Sequence, residues 1–454
     1  MSPTGSKDPL HIAIIGGGIT GVNLALGLQA RNVSYSIYER SAGFREIGAG
    51  IGFSPNAERA MAALNPDILT SYKRLANPNG EDYFQWVNGC ATDEPIFKLH
   101  VGKDGFQGGL RSKFLEEWAK LIPPTAVQFS KQLDTITEPT PDSPKLRLHF
   151  TDGTTATADA VIGCDGIHSR VRDLLLAPQT TTNPPAPGDQ PPSSPPTTAH
   201  PTYTHKFCFR TLAPMPAAIA AIGPTQASTR FMYNGPGAHL ITYPVGNSTL
   251  LNILAVIDAT SSTPWPYGQR HTAPGHRSEA ERAFEQWGPT ARAIVGLFPD
   301  SEEGAPLDKW ALFDMAEYPM PGYARGRVGV AGDAAHAAGP HLGAGAGMGV
   351  EDAAVLAAVL GAIGGWWEGD GEGEGHELLE RALRVFNEVR YSRTQWVVHA
   401  AREACDLFQW RDEAIGKDPE RFGREITELF HTIWKYDVDG MVEEALAKLG
   451  APAS

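Results

Sequence analysis

The sequence predicts an α/β protein: a parallel β-α-β core, an inserted and mostly antiparallel β-sheet, and a helical C-terminal region. Three observations predict it. The N-terminal stretch "LHIAIIGGGITGVNLALGLQARNVSYSIYER" reads as strand, tight turn, helix and strand. Between residues 207 and 258 the pattern changes to short alternating segments, "KFCFRTL", "HLITYPV" and "LLNILAVID", which suits antiparallel strands. Residues 377–409 place Leu379, Leu383, Phe386 and Val389 at helical spacing.

The first unit is the most specific. Residues 10–15 are an isoleucine-rich run of the kind found in buried parallel strands. Three glycines break it, residues 19–30 carry helical apolar spacing, and a second strand ends at Glu39. Gly16, Gly18 and Gly21 stand at G-x-G-x-x-G spacing. In a Rossmann-like unit the first permits the turn, the second lets a pyrophosphate reach the backbone, and the third lets helix and strand pack closely. The phosphates sit on the helix N-terminus, where free N–H groups and the helix dipole favour anions. Glu39 follows Gly18 by 21 residues, where a carboxylate binds ribose hydroxyls and repels a 2′-phosphate. A Gly-rich structural turn is the competing reading of the hexapeptide alone. The unit does not separate FAD from NAD.

Two later elements belong with it. In "DAVIGCDGIHSRVR", residues 159–172, a strand at 160–163 runs into Asp165-Gly166 and a basic helix start. In "GVAGDAAHAAGPHLGAGAGMGVEDA", residues 329–353, a strand at 328–331 ends just before Asp333. Ligands gather at that edge of open α/β sheets. Residues 138–145 read as a turn between strands. The Pro/Thr-rich residues 177–201 and the acidic, Gly-rich residues 364–376 read as surface insertions without chemistry.

The 454 residues, 42% hydrophobic and 20% charged, suit a globular protein of two or three domains. A net charge of −14 argues against nucleic acid and anionic membranes as partners. No apolar run is expected to reach the ~20 residues of a spanning helix. The short polar N-terminus does not read as a signal peptide. Four separated cysteines without C-x-x-C suit reduced thiols in a cytoplasmic protein and disfavour metal or dithiol chemistry. His336 reads as structural and His341 as a residue for the substrate side; five apart and without company, they make a poor metal pair. No metal is expected. Oligomeric state is not readable.

Taken in order, G-x-G-x-x-G, the "DG" at Asp165 and the "GD" at Asp333 resemble the FAD-dependent aromatic hydroxylases, single-component flavoprotein monooxygenases of the salicylate and para-hydroxybenzoate hydroxylase type. The resemblance spans roughly residues 10–405. It implies FAD as cofactor, NADPH or NADH as reductant and O2 as co-substrate. It gives Asp333 to the ribityl chain, Asp165 to the region where pyrophosphate and NAD(P)H pass, Arg111 to the pyrophosphate, and Gly52 to the stretch along the flavin. Gly345, Ala346 and Gly347 match the turn whose N–H groups face flavin N1 and O2. Here "GAGAGMG" replaces the "GQGMN" of many relatives, so side-chain donors are lost and backbone donors remain. The implied FAD domain takes residues 8–80, 105–175 and 310–363. The substrate domain takes 81–104 and 202–309, and the helical region takes 377–454.

"REIGAGIGFSPNAERAM", "YTHKFCFRTL" and "HLITYPVGN" are similar, more closely, to fungal polyketide-pathway hydroxylases that oxidatively dearomatise phenols in azaphilone, sorbicillinoid and tropolone pathways. There an arginine and a tyrosine hold the small phenolic substrate, and Arg210 and Tyr243 occupy the matching positions. Strand parity puts Cys208 and Arg210 on one face and Phe207 and Phe209 on the other. The implied chemistry is attack of a phenolate on a flavin C4a-hydroperoxide, in a site that excludes water. Alternatives are salicylate-type hydroxylation with rearomatisation and a non-enzymatic flavin or NAD sensor. Halogenase and disulfide reductase are disfavoured, because W-x-W-x-I-P and C-x-x-C are missing.

Overall fold

A computed structural model describes residues 9–44, 50–91, 93–102, 105–139, 144–177, 199–259, 265–266, 270–300, 307–365, 367 and 374–450. Most of both surface insertions, and the "REIGA" of residues 45–49, lie outside them.

The expected β-α-β unit forms as His11–Ile15, Ile19–Ala30 and Ser34–Tyr38. His11–Ile15 is central in a six-stranded sheet, with Ser34–Tyr38 and Val127–Gln128 on one side. Ala160–Gly163, Val328–Val330 and Ala324–Arg325 lie on the other. All its pairings are parallel except the last hairpin. Ile12, Ala13 and Ile14 are fully buried, because helices cover this sheet and leave no polar face. The parallel order brings the chain ends after three strands, at Gly16, Asp165 and Asp333, to one edge.

The alternating segments build an eight-stranded sheet. In order across it lie Thr272–Gly275, Leu307–Asp314, Thr202–Pro214, Leu250–Asp258, Ala238–Val245, Phe231–Gly235, Tyr83–Asn88 and Glu94–His100. One pairing, Phe231–Gly235 with Tyr83–Asn88, is parallel; the rest are antiparallel. Strand Leu307–Asp314 crosses the boundary drawn at residue 310. The outer face carries Phe209, Leu240, Ile253, Ala255 and Tyr233, which pack on helices Met215–Ser228, Arg277–Ala283 and Pro289–Val295. The inner face carries Cys208, Arg210, Ile241, Tyr243, Asn252 and Leu254 and looks into a cavity. Helix Met215–Ser228 sits between two strands where the sequence suggested only sheet. Its alanines supply little periodic contrast.

Two long helices follow in the second half of the chain. Gly345–Gly364 lies against Ile19–Ala30, close enough that a Cβ on Gly27 would stand 2.8 Å from Ala357. This helix corrects the expectation of no long apolar run: it has 20 residues and is apolar enough, by length and composition, to cross a membrane. It is 83% buried inside the protein. Glu351 and Asp352 interrupt the run in sequence, but both are buried and neutralised by partners described below. The long C-terminal helix runs from Glu374 to Phe408, starting one turn before residue 377. Helices Pro419–Trp434 and Val438–Leu449 complete the region.

Candidate active site

A cavity of about 850 Å³ runs from the edge of the parallel sheet to the inner face of the eight-stranded sheet. It gathers Gly16, Gly18, Glu39, Arg111 and Asp165 at one end and Gly52, Asp333, Gly345 and Ala346 along its length. Arg210 and Tyr243 stand at the other end. Of the site residues expected from sequence, Gly21 and Gly347 do not line it. A Cβ on Gly21 would stand 2.0 Å from the Gly16 carbonyl oxygen, so this glycine serves helix–strand contact. One on Gly347 would meet Ala57 at 3.2 Å, on the side away from the cavity.

At the first end Gly16 has φ +104 and no room for a side chain, since its Cβ would lie 2.4 Å from Cys164 O. Gly18 is the opposite case: the space at its Cβ position is open, with no atom within 4 Å. Glu39 accepts hydrogen bonds from Gly17 N (2.7 Å) and Ser41 N (2.8 Å), which fix its carboxylate at the strand end. Asp165 accepts from Ser169 Oγ (2.5 Å), Arg170 N (2.7 Å) and Val171 N (3.2 Å), so its oxygens cap helix Arg170–Leu176. Arg111 opens helix Arg111–Ala119, as expected.

Along the middle the chain turns at Gly332 (φ +62) and presents Asp333 exposed to the cavity. Buried charge holds that turn. Asp352 accepts from Gly332 N (2.9 Å), bonds His336 Nε2 (2.6 Å) and accepts from Arg390 Nε (2.8 Å). Glu351 binds Arg390 (2.6 Å), Arg393 (2.7 Å) and Asn56 (2.7 Å). Burial works against both carboxylate charges, yet Arg390 with His336 or Arg393 outweighs it and holds both acids below their usual range. His336 is therefore a structural link, as its sequence context suggested. Helix Gly345–Gly364 begins at Gly345, and its first turn faces the cavity through Gly345 and Ala346. A Cβ on Gly345 would meet only Asp333 Oδ1, at 3.8 Å.

These features fit a flavin dinucleotide. Two helices, Ile19–Ala30 and Gly345–Gly364, turn N-termini with uncommitted N–H groups to one cavity. The backbone is bare at Gly18 and Gly345, and Glu39 and Asp333 stand where hydroxyl groups need acceptors.

At the far end Arg210 lies with its guanidinium carbon 3.7 Å from the Trp310 ring centroid. Tyr243 fits against Gly108, whose Cβ would stand 2.9 Å from the tyrosine ring. Burial pushes the Tyr243 hydroxyl up to about 12 despite Arg230 and Arg210, so it stays neutral at ordinary pH. Asn252 accepts from Gly50 N (2.9 Å) and pins the Gly50–Phe53 strand under the sheet. Gly52 packs on Phe106, which a Cβ would approach to 2.1 Å.

Sequence reasoning missed Arg230, which also lines the cavity. The strand parity of Phe231 and Tyr233 carried a signal, because it turns Arg230 to the face of Met232. It also missed that His341 meets His239 and Cys405, with donor atoms within 4.8 Å of one another. Burial pulls His341 down to about 3 and His239 well below its usual range, and it raises the Cys405 thiol, so all three are neutral.

Comparison with known proteins agrees with this geometry. Residues 107–191 and 266–374 match the family described as FAD binding domain. The chain is 46% identical to an FAD-dependent monooxygenase of Aspergillus niger, over 97% of this chain and 96% of that one. It is 46% identical to one of Monascus ruber over the same shares. Among solved structures, a salicylate hydroxylase–substrate complex superposes with a TM-score of 0.80 at 28% identity, covering 99% of this chain and 100% of that one. With near-complete coverage at such identity, and a cavity whose glycines, helix ends and acids suit a flavin dinucleotide, the chain belongs to the FAD-dependent monooxygenases.

Proposed function

We propose that the protein uses NAD(P)H and O2 to hydroxylate a phenolic, polyketide-type substrate on a ring carbon ortho to the phenol, giving a quinol-type dienone in fungal secondary metabolism. The observation that carries the reading is the pair Arg210 and Tyr243 on the inner face of the eight-stranded sheet, at the cavity end away from Gly16. One oxygen atom of O2 enters the ring, the other leaves as water, and NAD(P)H supplies two electrons. Gly16–Gly18, Glu39 and Arg111 at one end and Asp333 and the Gly345–Ala346 turn at the other would hold FAD, which would supply the activated oxygen.

The chain's own groups prepare the ring. A phenolate is a far better nucleophile than a phenol, and the Arg210 charge favours ionisation of a phenol beside it. Its planar fork, stacked on Trp310, also fixes the direction of approach. Tyr243, neutral through burial, donates a hydrogen bond to the same oxygen and sets which ortho carbon faces the flavin. Phe84, Ile241, Leu254 and Leu342 line this end and keep water from the reacting centre.

Product analysis with a panel of acyl-resorcinol and orcinaldehyde-type phenols tests the reading. Dienone products are expected, and Arg210→Ala should abolish them while NAD(P)H oxidation continues in part with release of hydrogen peroxide. Full hydroxylation by Arg210→Ala would sink the phenolate role. The likeness to a salicylate hydroxylase–substrate complex supports a second reading, hydroxylation with rearomatisation. A catechol-type product in the same assay would favour it.

A further inference from the structure

Arg230 stands one residue before strand Phe231–Gly235, and the pairing of Phe231 with Thr242 sets it beside Tyr243. It is 5% exposed and borders the cavity. Its guanidinium carbon lies 3.7 Å from the Phe106 ring centroid, 5.3 Å from Phe84 and 5.1 Å from Tyr243. Among the described residues the guanidinium has no carboxylate and no hydrogen-bond acceptor, and Nε is buried without a partner. Burial draws its pKa down to about 10, so the group remains a cation at neutral pH. A buried cation without an anion is costly, and aromatic faces offset only part of the loss. Such a charge is held open for a ligand.

The sheet says which ligand. Across it the strand order runs Arg210, the Leu250–Asp258 strand, Tyr243 and then Arg230. Tyr243 therefore stands between two arginines. Arg210 is in register with Leu254, Ile241 and Met232, two residues along from Arg230, so three strand spacings and that offset separate the arginine backbones by about 16 Å. Both side chains border the one cavity, and the gap between them suits one substituted aromatic ring. We propose that Arg230 is a specificity-determining residue that binds a second oxyanion on the substrate ring, an ionised second hydroxyl or a carboxylate, opposite the phenol oxygen held by Arg210 and Tyr243. The inference rests on the reading above that the substrate is a phenol.

The test is titration of the FAD-loaded, full-length enzyme with three rings, followed by the perturbation of flavin absorbance, which needs no turnover. The rings are 2,4-dihydroxyacetophenone, 2,4-dihydroxybenzoate and 2-hydroxyacetophenone. Arg230→Met should weaken binding at least tenfold for a ring with the second oxyanion and less than threefold for 2-hydroxyacetophenone. Arg230→Lys should recover part of the loss. Substrate-free Arg230→Met should melt no lower than the native enzyme, because an unpaired buried charge is gone. The larger loss among the first two rings, and whether it fades below the pKa of the ring hydroxyl, tells hydroxyl from carboxylate. Equal losses on all three rings, or weakened FAD affinity with unchanged ring affinity, would overturn the proposal; the latter would assign Arg230 to the cofactor. Ring binding that discriminates as expected but gives no hydroxylated product would instead sink the reading of the reaction and leave Arg230 in place.

Discussion

Arg390 and Arg230 are both buried, one 0% and the other 5% exposed, and they are treated in opposite ways. Arg390 meets Asp352 at 2.8 Å and Glu351 at 2.6 Å, and its charge is strengthened by both. Arg230 meets three aromatic rings and, among the described residues, no acid. The first charge belongs to the frame: it links helix Glu374–Phe408 to helix Gly345–Gly364 and, through Asp352, to the Gly332 turn that presents Asp333. The second faces the cavity beside Tyr243. The difference teaches that the chain completes its own ion pairs where it sets the flavin cradle and, among the described residues, leaves one open at the place proposed above for a ligand.

The strongest break of this comparison is Arg390→Met. Removing one partner of a buried pair leaves uncompensated charge, and the expected loss is about 3–5 kcal/mol. Urea denaturation of the FAD-free protein reads it directly. FAD affinity should fall as well, since Gly332 loses its anchor. A loss below about 1 kcal/mol would show that the network does not hold the turn. Arg230→Met should move stability the other way, and two variants with the same sign would end the comparison.

How far such a contrast was readable from sequence depends on distance along the chain. The cradle was readable because its chemistry is local: strand, glycines, helix and Glu39 follow within thirty residues and the spacing itself is the signal. Asp165 and Asp333 came with their strands. The frame was not readable, because Glu351 and Asp352 find their partners in Arg390 and Arg393, beyond a low-complexity stretch that breaks any helical register. Arg210 and Tyr243 could be named only through the resemblance, since neither carries a local motif. Arg230 had no such help. Its neighbour Tyr243 follows from the pairing register of two strands, and register depends on turn geometry that "NGPGAH" does not reveal.

Tyr243 sharpens the comparison from the ligand side. In the proposed reaction Tyr243→Phe removes one hydrogen bond to a charged oxygen, worth about 1.5–3 kcal/mol, so kcat/KM should fall about tenfold or more, or the site of hydroxylation should blur. Steady-state kinetics with product isomer analysis checks it. Unchanged rate and product distribution would leave the phenol oxygen to Arg210 alone.

His341 shows a third solution to buried basicity: it sheds its proton. Its pKa is about 3 in the folded chain, through burial first and Lys206 second, against about 6.5 unfolded. Between those values the unfolded chain binds the extra proton, so stability falls as pH drops, with a slope of up to about 1.4 kcal/mol per pH unit from this group. His341→Asn should flatten the curve between pH 6 and 4 in denaturation series. An unchanged slope would show that His341 titrates alike in both states.

The smallest effect tests what steadies Arg230 before a ligand arrives. Phe106 is held between Gly52 and Gly343, whose Cβ positions lie 2.1 and 3.1 Å from its ring, and it presents its face to the guanidinium at 3.7 Å. Phe106→Leu removes that face and also loosens packing, so its single effect is not informative. The double-mutant cycle with Arg230→Met isolates the pair, and a coupling of about 0.5–2 kcal/mol is expected in substrate-free protein at pH 7. Coupling should shrink when 2,4-dihydroxybenzoate is bound, because the cation then has an anion. A coupling of zero without ligand would mean that the rings merely border the charge, and its burial would then rest on the protein frame alone.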